Sequence, residues 1–194
     1  SNEQGRENGA WGGFTLVNAT LNSMKFAIKE SIQFDYMVHL SGTTYPLVDN
    51  FSIRTALSQN PGRTYMDVHS KPNRPSVDTW FNFVECDGAV HRVSRLTQLR
   101  GMSMFVGSQW FAMPWHVVHW FATNQLPRDY IHYAKHVVVA DENYFATMFK
   151  NSPYCGELEK SNQVFVLFDK WENEKNANKT DRDPRKCLHP NPDR

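Results

Sequence analysis

Residues 35–47 read DYMVHLSGTTYPL, an apolar and aromatic run that passes into a small, polar loop. The segment Phe34–Leu40 predicts a short buried strand, because apolar residues dominate it and Ser41-Gly42 closes it. Pro46 excludes a continuation of that strand. In α/β sheets, ligands bind at loops that follow the strand ends. The loop after this strand is therefore the first candidate ligand-binding segment.

Hydrophobic spacing and capping signals place helices on both sides of this strand. The predicted helices are Thr15–Ser31, 51–60 with Asp49 or Asn50 as N-cap, Pro114–Phe121 with Pro114 in its first turn, Arg128–His136, and Glu142–Lys150 with Asp141 as N-cap. The predicted strands are Thr64–Val68, Thr79–Glu85, Val90–Leu96 and Val164–Phe168, with Asp87-Gly88 as the turn of a hairpin. Strands separated by helices indicate an α/β fold with an inserted antiparallel hairpin.

The composition is that of one globular domain, or of a piece of a larger one. The chain has 194 residues, of which 40% are hydrophobic and 21% are charged. Its 21 Lys and Arg residues and 20 Asp and Glu residues leave a net charge of +1, which argues against binding to nucleic acid or an anionic membrane. Residues 1–10 are expected to be a disordered or truncated end, 11–171 a folded but partial domain, and 172–194 a polar, irregular tail.

The cysteines and sequons leave the cellular compartment open. The three cysteines, Cys86, Cys155 and Cys187, form no CxxC pair, so either all three are reduced or one pairs outside this chain. Three Asn-x-Ser/Thr sequons begin at Asn18, Asn50 and Asn178, and they mildly favour the secretory pathway.

Glu142 is a candidate general base. It follows the apolar run Val137–Ala140, and a carboxylate at such a helix start can lie next to a cleft. The alternative is that Asp141 caps the helix while Glu142 only interacts favourably with the helix dipole. Local evidence by itself favours the alternative.

Glu85 and Asp87 are a candidate metal-binding pair. They end an apolar strand, and paired carboxylates of this kind can hold a divalent ion against a diphosphate. The alternative is a plain hairpin turn, which Asp87-Gly88 favours for reasons of backbone geometry. We prefer the turn.

A second candidate loop is Gly107-Ser108-Gln109-Trp110, which is predicted as a glycine turn. Tyr45 in the first loop and Trp110 in the second could stack on sugar or base rings. The alternative is that both loops are ordinary turns with packed aromatic side chains.

Together, these segments resemble glycosyltransferase family 14, which comprises core-2/I-branching β-1,6-N-acetylglucosaminyltransferases and peptide O-xylosyltransferases. The resemblance rests on four segments in family order: Asp35–Leu47, Phe83–Asp87, Gly107–Phe111, and Glu142–Thr147 continuing to Asn151–Cys155. It runs from about Trp11 to Trp171.

The resemblance implies a GT-A-like domain, incomplete at both ends, and an inverting transfer of GlcNAc or xylose from a UDP-sugar to a glycan or protein hydroxyl. Glu142 matches the family's catalytic base, and the resemblance thereby reverses the local preference at that residue. It further implies substrate contacts by Ser41, Gly42, Thr44, Tyr45, Pro46, Gly107, Ser108, Gln109 and Trp110, with Glu85 and Asp87 near the cleft.

The same resemblance implies no metal and no cofactor beyond the UDP-sugar donor, with basic side chains beyond Arg194 meeting the diphosphate. It also implies a Golgi lumenal, type II membrane protein, anchored by a segment outside this chain, and a partner for Cys155 outside this chain. Two positions depart from the family pattern: Thr44 replaces an acidic residue, and Gln109 replaces the acceptor-contacting Asp of xylosyltransferases. Two alternatives stay open, a metal-dependent transferase that uses Glu85 and Asp87, and an inactive glycan-binding protein that uses Tyr45, Trp110 and Trp115.

Overall fold

A computed structural model of the chain describes residues 9–70, 82–94 and 102–164. Within these ranges the chain forms a four-stranded mixed sheet, a two-stranded hairpin and five α-helices. All of these elements belong to one compact unit, Ser1–Gln163. A second unit, Val164–Arg194, contributes only Val164 to the described residues, so the predicted end of the folded domain at Trp171 stays a prediction.

The central sheet has the strand order β1-β5-β2-β6. Its strands are β1, Tyr36–Val38; β2, Thr64–Ser70; β5, Phe105–Pro114; and β6, Leu158–Glu159. The long strand β5 is antiparallel to both β1 and β2, while β2 and β6 are parallel. The α/β class predicted from the sequence is confirmed.

The first predicted strand is shorter and more exposed than expected. β1 covers only three residues of the predicted segment Phe34–Leu40, and the side chains of Val38 and Leu40 are 44% and 47% exposed. The prediction of a buried strand is wrong because β1 lies at the edge of the sheet that the described residues form, where β5 is its single neighbour.

The predicted helices are confirmed, and the caps explain where their ends differ. They are α1, Phe14–Lys29; α2, Asn50–Gln59; α3, Trp115–Thr123; α4, Gln125–Ala134; and α5, Asp141–Lys150. Asp49 caps α2 by accepting a hydrogen bond from the Ser52 amide at 2.9 Å. Asn124 caps α4 in the same way, and this helix therefore starts earlier than predicted. Pro114 precedes α3 rather than opening it.

The hairpin is confirmed where the structure describes it. Strands β3, Asn82–Cys86, and β4, Ala89–Ser94, pair around Asp87 and Gly88. Both turn residues have positive φ, 51° and 73°, as a two-residue hairpin of the favoured type requires. The remaining predicted strand residues, 79–81, 95–96 and 165–168, lie outside the described residues.

The core explains much of the aromatic content. Helix α5 packs across β5, with the Phe111 and Phe145 rings 5.0 Å apart, and Phe121 of α3 lies 5.6 Å from Phe145. Tyr144 is fully buried against Phe14 of α1. These rings stabilise the packing of α5 on the sheet, so they are unavailable to a ligand.

Candidate functional site

The segment Gly107–Trp110 is a bulge in a continuous strand. Met66 of β2 pairs with Phe111 and Val68 pairs with Gly107, so Ser108–Trp110 stand opposite a single β2 residue. The predicted glycine turn is therefore wrong. A bulge kinks a strand and re-aims its side chains, and bulges are frequent beside active sites.

Gly107 is required by close packing of two backbones. A Cβ at this position would collide with the carbonyl oxygen of Asp67 on β2, and it would lie 3.4 Å from the Cβ of Ala146 on α5. A glycine inside a strand pattern commonly marks such a close approach. Gly107 itself is the sequence signal for this close approach, and a glycine turn gives the same signal.

His39 joins the bulge to the first loop. Its Nδ1 lies 2.9 Å from the carbonyl oxygen of Gln109, which can only accept, so Nδ1 carries the proton. Its Nε2 lies 3.3 Å from the hydroxyl of Thr20 on α1. The imidazole ring also contacts the rings of Trp110 and Phe111, with centroids 5.2 and 5.1 Å away. The first and third family segments are thus in direct contact.

The loop after β1 is closed by its own side chains. The Ser41 amide donates to the Thr44 hydroxyl at 3.2 Å, and the Thr44 amide donates back to the Ser41 carbonyl at 3.1 Å. Thr44, at the position that is acidic in the family pattern, therefore stabilises the turn. Tyr45 is 82% exposed, and it lines a shallow groove with Pro46 and the start of α2. Its ring is accessible to a ligand.

Helix α5 is held against β5 by two hydrogen bonds to one carbonyl. The side-chain amide of Asn143 and the hydroxyl of Thr147 each donate to the carbonyl oxygen of Phe105 at 2.9 Å. These contacts fix the first turn of α5, where Glu142 is exposed. Glu142 is therefore an exposed residue on an anchored helix turn.

Asp141 is not the N-cap that the sequence predicts, because Ala140 takes that position. The Asp141 side chain is instead buried, with 6% of the residue exposed, and its Oδ1 has no hydrogen-bond partner among the described residues. Burial raises the pKa of this carboxyl, while its own amide, the Glu142 amide and nearby His39 oppose that rise.

Burial likewise lowers the pKa of His39, against the opposing effects of the Gln109 carbonyl and Asp141. Asp141 and His39 thus interact electrostatically, which connects the start of α5 to the bulge. Glu142 is the neighbour of Asp141 at the start of α5, and His39 in turn contacts Gln109 and Trp110 of the bulge. His39 and Asp141 were not among the predicted site residues. The sequence signal that could have identified His39 is a single histidine in an apolar strand.

The buried imidazole gives the protein a pH-dependent stability. Unfolded His39 takes up a proton near its ordinary pKa of 6.5, whereas folded His39 resists protonation, so stability falls as the pH decreases below about 6.5. We expect His39→Gln to reduce this loss between pH 7.5 and 5.5, as measured by urea unfolding. Asp141 acts in the opposite direction: burial raises the pKa of its carboxyl above 3.8, so its contribution to stability increases as the pH falls.

His91→Gln is the matched control, because His91 is exposed on β4. An unchanged pH dependence in His39→Gln, or an equal change in both variants, would contradict the assignment to His39.

Glu85 has a structural role at the start of α1. Its carboxylate accepts hydrogen bonds from the amides of Ala10 and Thr15, at 3.2 and 3.0 Å, and from the Thr15 hydroxyl. A Cβ on Gly13 would collide with this carboxylate. Glu85 therefore caps α1 from a distant strand, since Gly13, at the N-cap position, has no side chain that could do so. Asp87 lies in the hairpin turn, as the preferred alternative predicted.

Glu85 and Asp87 also line an open groove of about 670 Å³, between the hairpin and helices α1 and α4. Among residues 9–70, 82–94 and 102–164, the structure places no three His, Cys, Asp or Glu side chains close enough to bind a metal ion together.

Cys86 and Cys155 are exposed and unbonded. Cys187 lies outside the described residues. Within the part of the chain that is described, no helix has the length and apolar character that crossing a bilayer requires.

Comparison with known proteins gives matches along most of the chain. A family model described as "Core-2/I-Branching enzyme" matches residues 4–190. The chain is 25% identical over 152 residues to "Xylosyltransferase oxt" of Drosophila melanogaster, which covers 75% of this chain and 17% of that protein. It is 26% identical over 160 residues to "Xylosyltransferase 2" of Mus musculus, covering 78% and 18%.

"Xylosyltransferase 1" of Homo sapiens is 25% identical over 160 residues, covering 78% of this chain and 16% of that protein. The chain thus spans less than a fifth of the length of these relatives. The matches confirm the resemblance drawn from the four segments, and with it a GT-A-like α/β fold for this partial domain.

Proposed function

Because the chain belongs to the Core-2/I-Branching enzyme family, we propose that it is part of an inverting glycosyltransferase that acts on a UDP-sugar donor. The observation that carries the proposal is the position of Glu142. Glu142 is an exposed residue in the anchored first turn of α5, next to Asp141, which interacts electrostatically with His39. The acceptor is a hydroxyl of a glycan or a protein.

In this mechanism Glu142 is the general base. It removes the proton from the acceptor hydroxyl as that oxygen attacks the anomeric carbon of the donor. The new carbon–oxygen bond forms on the face opposite to the breaking bond, so the configuration inverts. The bonding electrons leave with the diphosphate oxygen of UDP. The exposed ring of Tyr45 and the partly exposed ring of Trp110 are available to stack on sugar rings.

The contacts of Glu85 favour the reaction without a metal ion. Its carboxylate is already bound by three donors at the start of α1, which leaves it poorly placed to hold a cation with Asp87. One observation favours the metal-dependent alternative: Glu85 and Asp87 line the same groove. The non-catalytic alternative is a glycan-binding protein that uses Tyr45, Trp110 and Trp115, of which Tyr45 and Trp115 are 82% and 41% exposed.

We further propose that the protein works in the lumen of the secretory pathway, as expected for the Golgi. The sequon at Asn50 supports this location, because Asn50 is exposed at the first position of α2. The sequon at Asn18 is less accessible, since its Thr20 is buried.

A donor screen with the complete gene product tests the proposed function. UDP release is measured with UDP-xylose and UDP-GlcNAc, in the presence of glycan and peptide acceptors. We expect turnover with one of these donors and an undiminished rate in EDTA. Loss of turnover in EDTA that Mn²⁺ restores would establish the metal-dependent alternative. Glycan binding without turnover of either donor would establish the non-catalytic one.

A further inference from the structure

The turn before α5 contains a strained residue. Val139 has a φ of 52°, in the left-handed region that a β-branched residue rarely adopts. Such a conformation persists only where surrounding contacts impose it. Val139 lies three residues before Glu142, and its carbonyl accepts the Glu142 amide at 3.2 Å. The strain is therefore located in the turn that orients the proposed base.

The contact that holds Val139 comes from the start of α1. The Val139 amide donates to the carbonyl oxygen of Gly12 at 2.8 Å. Gly12 itself has a φ of 75°, and a Cβ there would lie 3.6 Å from the Val139 nitrogen. The conformation of the turn before α5 thus depends on the position of the residues that precede α1.

Glu85 fixes those residues. Its carboxylate binds the amides of Ala10 and Thr15, which flank Gly12 on both sides. The same strand reaches the turn directly, because the Phe83 amide donates to the His136 carbonyl at 3.0 Å. Strand β3 therefore contacts both the beginning of the turn and the segment that holds Val139.

We infer that Glu85 is a positioning residue for Glu142, acting through Gly12 and Val139; this inference rests on the proposed function. Three sets of contacts connect the two residues. The Glu85 carboxylate accepts hydrogen bonds from amides at the start of α1. The Gly12 carbonyl accepts from the Val139 amide, and the Val139 carbonyl accepts from the Glu142 amide. Glu85 does not contact the substrate in this assignment. It resists movement of the base, and a displacement of about 1 Å at a reacting group can cost about 100-fold in rate.

The test combines kinetics with hydrogen exchange, in the complete gene product. In Glu85→Ala we expect kcat to fall about 10- to 100-fold while the KM for the donor stays within about twofold. We also expect the Val139 amide to exchange faster, because its acceptor Gly12 is no longer held. Glu85→Gln retains one acceptor oxygen, and its effects on both measurements should be smaller. If Glu85→Ala fails to fold, Glu85→Gln and Thr15→Val provide the same two readouts.

Asn124→Ala is the matched control. It removes a side-chain cap from α4, which lies outside the proposed path. We expect a similar loss of stability but a kcat within about twofold of wild type and an unchanged Val139 exchange rate. A purely structural Glu85 would make the two variants behave alike, and that result would overturn the inference.

Two further results would also overturn it: unchanged Val139 exchange in Glu85→Ala, or faster exchange with an unchanged kcat. Failure of the proposed function is a separate observation. It would appear as absence of wild-type turnover, or as full turnover in Glu142→Gln, whereas the exchange measurement needs no activity.

Discussion

Glu142→Gln is expected to lower the kcat of the complete enzyme by about 100- to 10,000-fold, the range that a positioned general base contributes. Glutamine has nearly the same size as glutamate but cannot take the acceptor proton at neutral pH. The donor KM should change little, because the lost interaction is made only as the proton moves. Steady-state UDP release, with the donor and acceptor found in the screen, measures both constants.

The fold should be unaffected by this change, because the Glu142 side chain is exposed. Glu30→Gln is the matched control: it makes the same chemical change at an exposed position at the end of α1. We expect wild-type turnover from it. Turnover by Glu142→Gln equal to that of the control would show that the base is another residue.

Gly107→Ala is expected to destabilise the protein by about 3 kcal/mol or more, a large fraction of the 5–15 kcal/mol that holds a typical domain folded. The added methyl group would collide with the Asp67 carbonyl oxygen on β2. That oxygen belongs to a backbone within the sheet, so it cannot move aside as the end of a flexible side chain could. To relieve this collision, β2 and β5 would have to move apart, and these two strands form the centre of the sheet.

Urea unfolding of both variants provides the measurement. Gly156→Ala is the matched control, because a Cβ there meets no atom within 4 Å and Gly156 does not have a positive φ. We expect the midpoint for Gly107→Ala to fall clearly below wild type and the midpoint for Gly156→Ala to stay close to it. Equal midpoints for the two variants would contradict the close approach of β2 and β5 at the bulge.

Local signals were sufficient where a structure depends on neighbours in sequence. The cap of α2, predicted at Asp49 or Asn50 and found at Asp49, the amphipathic spacing of α1 and the Asp87-Gly88 turn each act within a few residues, and these predictions are confirmed. The same local reasoning failed at Gly107. Its backbone is extended because β2 pairs with it, and no neighbour of Gly107 in the sequence encodes that partner.

The resemblance to a family supplied what local spacing could not, namely the order of the four segments and the assignment of Glu142. The family match shows the family, whereas the role of Glu142 stays a prediction. The role of Asp141 shows the limit of pattern reasoning. An Asp before an apolar helix favours an N-cap, yet tertiary packing buries this carboxyl near His39 instead.

The strand and loop at residues 35–47 show which features local sequence determines and which depend on tertiary packing. The sequence by itself determined that Asp35–Leu47 is a strand that enters a small polar loop, because β-propensity and Pro46 act locally. Only the tertiary structure decided that the strand lies at an edge of the described sheet and that His39 contacts the bulge. The physical reason is that these contacts join residues that are distant in sequence, and their hydrogen bonds form only once β1, β5 and α1 have packed together.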